Sequence, residues 1–333
     1  MRGSARLAGT VLLVSATLAG PSRAQTEGDL VATGVPRPLQ LVADGPSLIV
    51  LSPGARGDAA AEIYRVPLDA DLPVDLSRQP RIRIPLAVSS AATLGSLALD
   101  PRSGDLFLGE ENGTRIWRLS PDERLTLYAT GLRRLAGGGT LAFDRLGRLV
   151  IVDYADPFLS QPEERPPPGL EQLREEDYRG PLVFRLTFDP AVPLPRRLGH
   201  LAPLFPRAWG GRASGSALPH MISLVALATD DLVLLTSSGE LFRLGRDGAF
   251  GLFTRLPRGQ YNRTHMVAAP DGTVFVSGGF HVGSVFQVSP EGGVTTLASK
   301  MADPQGIALD HHGWLYVAES SFHRIVRLPI PGR

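Results

Sequence analysis

The sequence predicts an all-β fold, a six-bladed β-propeller with four antiparallel strands per blade, and three observations carry that prediction. A short strand of aliphatic, mostly aromatic, mostly Arg and aliphatic residues recurs six times. Each copy follows a run that is apolar almost throughout. The chain also stops three strands into its last unit, and it begins with one strand that lacks a unit of its own.

The recurring strand is Ile63-Tyr64-Arg65-Val66, Ile116-Trp117-Arg118-Leu119, Val183-Phe184-Arg185-Leu186, Leu241-Phe242-Arg243-Leu244, Val285-Phe286-Gln287-Val288 and Ile325-Val326-Arg327-Leu328. The runs before them are Leu48 to Leu51, Leu106 to Leu108, Leu149 to Val152, Leu232 to Leu235, Val274 to Val276 and Leu315 to Ala318. Unbroken aliphatic and β-branched stretches of this length mean burial on both faces. Before each run comes another strand, often ending at an Asp, as in Leu97-Ala98-Leu99-Asp100, Leu141-Ala142-Phe143-Asp144 and Ile307-Ala308-Leu309-Asp310. Asp serves such turns by bonding to its own local backbone. A more exposed strand opens each unit: Leu30 to Thr33, Arg81 to Leu86, Leu125 to Thr130, His200 to Phe205, Gly251 to Leu256 and Val294 to Ser299. Four-stranded units repeated with little helical periodicity describe propeller blades rather than a sandwich. Leu30 to Thr33 is then expected to close the last blade beside Ile325 to Leu328, leaving no raw sheet edge.

Met1 to Ala24 reads as a secretory signal peptide: Arg2 and Arg6 precede the apolar run Leu7 to Ala19, and Ser22-Arg23-Ala24 offers a cleavage site. Gly9, Thr10, Ser15 and Thr17 interrupt that run, which is shorter than the roughly 20 residues of a membrane span. Residues 25–333 are therefore expected to be one exported domain, secreted or periplasmic, monomeric and without a membrane span after cleavage. Losing Arg2, Arg6 and Arg23 leaves 31 basic against 33 acidic residues, so no nucleic-acid footprint remains. The absence of Cys excludes disulfides, thiol catalysis and thiolate metal sites. Lys300 is the only lysine and thus the only candidate for Schiff-base chemistry.

Between the second and third strands of the third blade lies an insertion, 154–180, rich in proline and acid. Arg207 to Pro219 is a second long departure from the repeat, and loops of such length commonly carry function. Gly137-Gly138-Gly139 reads as a flexible turn, because a strand rather than a helix follows it. The chain holds no Gly-x-Ser-x-Gly elbow, no P-loop and no His-Glu-x-x-His.

At the C-terminus, Pro304-Gln305-Gly306-Ile307-Ala308-Leu309-Asp310, Gly313-Trp314-Leu315-Tyr316-Val317-Ala318-Glu319 and His323-Arg324-Ile325-Val326-Arg327 closely resemble the NHL repeat. With its leader, the whole resembles exported NHL-like and gluconolactonase-like propellers, a group that implies an architecture but includes lactonases, lyases and binding modules. In gluconolactonase-like enzymes, Glu and Asn hold a divalent metal at the central channel. The matching places here read Thr264-His265-Met266-Val267, Gln305-Gly306-Ile307-Ala308 and Leu94-Gly95-Ser96-Leu97, so those ligands are replaced.

Propeller geometry gathers His220, Asn262, Arg263 and His265 from strand starts, and Glu110, Glu111, Asp153, His281 and Glu319 from strand ends, onto one rim of the channel. His265 and His220 are expected to face the channel from that wet rim, with Asp153 and Glu319 nearby. Such residues could bind a ligand, hold a divalent metal, or act as acid and base. The expected function is binding of a small ligand or protein partner at this rim; the alternative is a hydrolase or lyase of lactone-like substrates.

Overall fold

The structure, a computed structural model, describes residues 28–54, 60–85, 93–132, 137–154, 181–198, 201, 203–205 and 221–331. The expected leader, the body of the 154–180 insertion, the 207–219 segment and His220 lie outside the described residues. No helix among the described residues is long and apolar enough to cross a membrane.

Six sheets make six blades. The first holds Gln40–Asp44, Ser47–Ser52, Ala60–Pro67 and Arg81–Pro85 in that order; the fourth holds Met221–Ala226, Leu232–Thr236, Glu240–Leu244 and Phe250–Arg255. The fifth holds Met266–Ala268, Val274–Ser277, Ser284–Val288 and Val294–Ser299. The second has Thr93–Leu99, Leu106–Glu111, Ile116–Leu119 and Leu125–Thr130, extended by the parallel pair Arg196–Arg197. In the third, Leu141–Phe143, Leu149–Tyr154 and Pro181–Leu186 pair fully, and the outermost position is the single bridge of Val183 with Phe205. The sixth holds Pro304–Leu309, Trp314–Glu319 and Arg324–Pro329, and Asp29–Thr33 pairs antiparallel with Arg324–Pro329.

Alternation along the second strands explains the continuous apolar runs. In Ser47–Ser52, Leu48 and Val50 pack toward Ala308, Tyr316 and Ile325 of the sixth blade. Their neighbours Ile49 and Leu51 pack toward Leu94, Leu97 and Leu108 of the second. Each such side chain, 0–1% exposed, contributes about 1.5–3 kcal/mol of burial. The Asp turns act as local clamps: Asp310 Oδ1 accepts from the amides of His312 (2.9 Å) and Trp314 (2.8 Å), and Asp144 Oδ1 accepts from Leu146 and Arg148, both at 2.9 Å.

The register sets the site. Thr93 faces Glu111 and Pro304 faces Glu319, so inner strands start where second strands end. One face of the ring therefore carries strand starts and the other carries the inner hairpins.

Candidate functional site

The rim carboxylates are held by the protein itself. Glu110, 3% exposed, takes Arg115 on both oxygens at 2.9 and 3.0 Å and Trp117 Nε1 at 2.9 Å. Glu319, also 3% exposed, accepts from Arg324 Nε at 2.6 Å and from the Ala302 amide at 2.9 Å. In each blade the Arg lies five residues after the Glu, across the turn to the third strand. Both oxygens of each acid are engaged by the protein, and the two acids anchor that turn. Asp153 is likewise buried, in register with Leu182. Asn262 and His281 stand exposed: the Asn262 carbonyl accepts from the Phe280 amide, and the His281 ring lies edge-on to Phe280 at 4.7 Å.

The axis at this end is closed. Gly138 donates to the Gly95 carbonyl of the second blade at 3.0 Å, Gly139 donates to the Thr264 carbonyl before the fifth at 2.7 Å, and Leu224 of the fourth donates to Gly139 at 2.7 Å. A Cβ on Gly138 would stand 2.4 Å from the Thr264 oxygen, and one on Gly139 would stand 2.4 Å from Ser223 Oγ. The three glycines are thus a close-packed plug, which corrects the flexible turn expected from sequence. Contact with three other blades, rather than local flexibility, demands the missing side chains. Beside the plug, Arg263 Nε donates to Glu111 Oε1 at 2.9 Å.

His265 is under that plug and away from the wet rim that the sequence suggested. It is 6% exposed, its amide donates to Ser277 Oγ at 2.8 Å, and its Nδ1 accepts from the Ile307 amide at 3.3 Å. Burial pushes its pKa down to about 4. Because Nδ1 is an acceptor, the neutral ring carries its proton on Nε2.

Among the described residues, this rim holds a cleft of about 840 Å³ between the fifth, sixth and first blades. Arg37, Arg263, Phe280, Gln305, Ser321 and His323 are among its walls. Among the described residues, Arg263 is the one rim residue of the sequence reading that lines it. Gln305, 2% exposed, has an Oε1 with no partner. The Arg37 amide donates to His323 Nδ1 at 2.9 Å, tying the segment after the first strand to the last blade. Arg37, Arg263, Asp303 and His323 all line the cleft and all have left-handed φ angles of 46–55°, a conformation costing roughly 1–3 kcal/mol per residue. Gln305 and His323 lay in the quoted C-terminal repeat, yet a Gln and a turn His carry no chemical signature until the ring folds. Among the described residues no cluster of three His, Asp or Glu could hold a metal.

No protein-family profile and no curated protein matches the chain. Solved structures do. A gluconolactonase-like protein is similar at TM-score 0.56 and 14% identity over 93% of each chain. Regucalcin, a calcium-binding protein from Agrobacterium tumefaciens, is similar at TM-score 0.54 and 11% identity, over 91% of this chain and 96% of that one. A protein of unknown function from Bacteroides thetaiotaomicron is similar at TM-score 0.52 and 14% identity, over 92% of this chain and 72% of that one. These likenesses establish the architecture: the chain is a six-bladed β-propeller of the shape that gluconolactonase-like and regucalcin-like proteins share.

Proposed function

We propose that the chain binds a small hydroxylated carboxylic acid in the rim cleft between its fifth, sixth and first blades. The observation that carries this reading is Gln305. Its buried Oε1 lacks a partner, and an unmet buried acceptor costs about 1–3 kcal/mol, which a ligand hydroxyl would recover once the Gln305 side chain turns toward the cleft. Arg263 complements it. Among the described residues only its Nε is engaged, by Glu111, and the side chain is 33% exposed, so its outer nitrogens suit a carboxylate. Phe280, 45% exposed, supplies an apolar wall. The strained loops are the cost of holding these groups in place.

Titration calorimetry with gluconate tests the reading, with sorbitol as the uncharged comparator. Saturable gluconate heat, lost in Arg263→Met and weakened in Gln305→Leu, is expected. Equal affinity for sorbitol, or for gluconate in Arg263→Met, would overturn it.

A second reading, hydrolysis or elimination on a lactone-like substrate, has one observation of its own. His323 is exposed in the same cleft with Nδ1 engaged by the Arg37 amide, so Nε2 is presented as a proton donor. Acid release from glucono-δ-lactone above the spontaneous rate, lost in His323→Ala, would establish it.

A further inference from the structure

The inner half of the axis, on the hairpin side of the plug, holds a second cavity of about 500 Å³. All six inner strands contribute to it, from Leu41–Ala43 of the first blade to Ala308–Asp310 of the sixth. We infer that this cavity is a separate binding site for a small uncharged molecule bearing a carbonyl acceptor, to which the Nε2–H of His265 donates at the cavity's closed end.

The argument begins with His265. Its ring is 6% exposed, lines the cavity, and has its Nδ1 satisfied by Ile307. Nε2 has no protein partner among the described residues and is not sealed from solvent, so its N–H is left to whatever enters the cavity. A ligand carbonyl there takes the place of a water molecule.

The walls set the rest of the ligand. Between His265 and the mouth, the lining side chains are all apolar, among them Val42, Leu99, Ala142, Phe143, Ala226 and Leu309. The inner strands are also sheet edges, so unpaired backbone groups border the axis. A charged group inside would be stripped of water with no counter-ion. The mouth selects further. Asp144 is neutralised by Arg148 at 2.7 Å and Arg185 at 3.2 Å. Asp310 accepts only from amides and the Tyr316 hydroxyl at 3.0 Å, with no cation beside it among the described residues. The opening thus carries one carboxylate with no arginine beside it among the described residues, next to His311, and offers an anion no arginine counter-ion of its own. The volume lies within the range of small-ligand pockets, about 300–1,000 Å³.

The test is nitrogen-15 NMR of the histidine rings of the whole protein, with cyclohexanone as probe and cyclohexanecarboxylate as the anionic comparator. The expected result is a saturable shift of the His265 Nε2 signal with cyclohexanone while the Arg263 Nε signal stays in place, which separates this site from the rim cleft. His265→Asn, which retains an acceptor for the Ile307 amide, should weaken binding about three- to tenfold, as followed on the wall amides. Ala226→Leu should abolish it by filling the cavity; should that variant not fold, His265→Asn decides alone. Absence of a saturable shift, unchanged affinity in His265→Asn, or equal binding of the carboxylate would overturn the inference.

Discussion

Arg263, before the first strand of the fifth blade, donates from Nε to Oε1 of Glu111, at the end of the second strand of the second blade, at 2.9 Å. Blades two and five face each other in a ring of six, so this pair spans the axis. Its two ends are unequal: the Glu111 side chain is 9% exposed and that of Arg263 33%, and Glu111 Oε2 already lacks a partner. Removing the cation leaves a buried charge, whereas removing the charge leaves an arginine that can turn to water. Arg263→Met should therefore cost about 2–4 kcal/mol, below the full buried-pair penalty because Arg263 is partly solvated, and Glu111→Gln less than about 1 kcal/mol. Urea midpoints of the two variants check the order. The reverse order would mean that the pair does not anchor the plug.

The plug itself is tested by alanine. Gly138 has φ +117° and a Cβ there meets backbone at 2.4 Å, while Gly45 has φ +54° and open space around it. Gly45→Ala should cost only the left-handed penalty of roughly 1–2 kcal/mol. Gly138→Ala must also push the Thr264 carbonyl aside and should cost more than about 3 kcal/mol. Thermal unfolding of both variants measures the gap, and similar melting temperatures would show that the plug yields easily.

These two contacts mark where sequence stops informing. The blades were legible because each strand writes its own burial: Leu48 to Leu51 must be shielded on both sides whatever the partner. The Asp turns at Asp144 and Asp310 were legible for the same local reason. Arg263 and Glu111 are 152 positions apart, and no local pattern joins them. His265 looked wet because strand starts usually are, and the residues that cover it come from Gly139 of another blade. Two-residue strands such as Val74–Asp75 and Arg196–Arg197 have no periodicity to read. Gly137-Gly138-Gly139 did carry a signal, three side chains missing in a row, but a close approach and a loose turn look alike until the neighbour is known.

The buried His265 gives the protein an acid-sensitive term. Its folded pKa is near 4 against an unfolded value of about 6.5. The unfolded chain therefore binds this proton first as pH falls, and stability drops with decreasing pH. The loss begins near pH 6.5 and ends near pH 4, totalling roughly 3 kcal/mol from this group. His265→Asn should flatten that part of the profile while leaving the carboxylate-driven loss at lower pH. Chemical denaturation at half-unit steps measures it, and an unchanged slope between pH 6.5 and 4 in the variant would show that His265 does not carry the effect.

Val31 is 0% exposed in a strand that pairs on one side with the other end of the chain, Leu30 opposite Val326 and Ala32 opposite Ile325, and on the other side in parallel with Val74–Asp75. It packs in the cluster between the sixth and first blades with Val35, Tyr316 and Ile325. Two lost methyl groups and the cavity behind them predict about 2 kcal/mol for Val31→Ala, with the strand still docked. Val31→Asp instead buries a carboxylate beside apolar neighbours, and the cheaper outcome is for the strand to leave the sheet. Its departure would expose the outer edge of Arg324–Pro329 and break the Arg37 amide bond to His323, deforming the rim cleft as well. Amide exchange locates the damage: protection should fall in Arg324–Pro329 first and remain high in Leu232–Thr236 on the far side of the ring. Uniform loss of protection across both strands would mean that the ring unfolds as one unit and that the N-terminal strand is not a separable element.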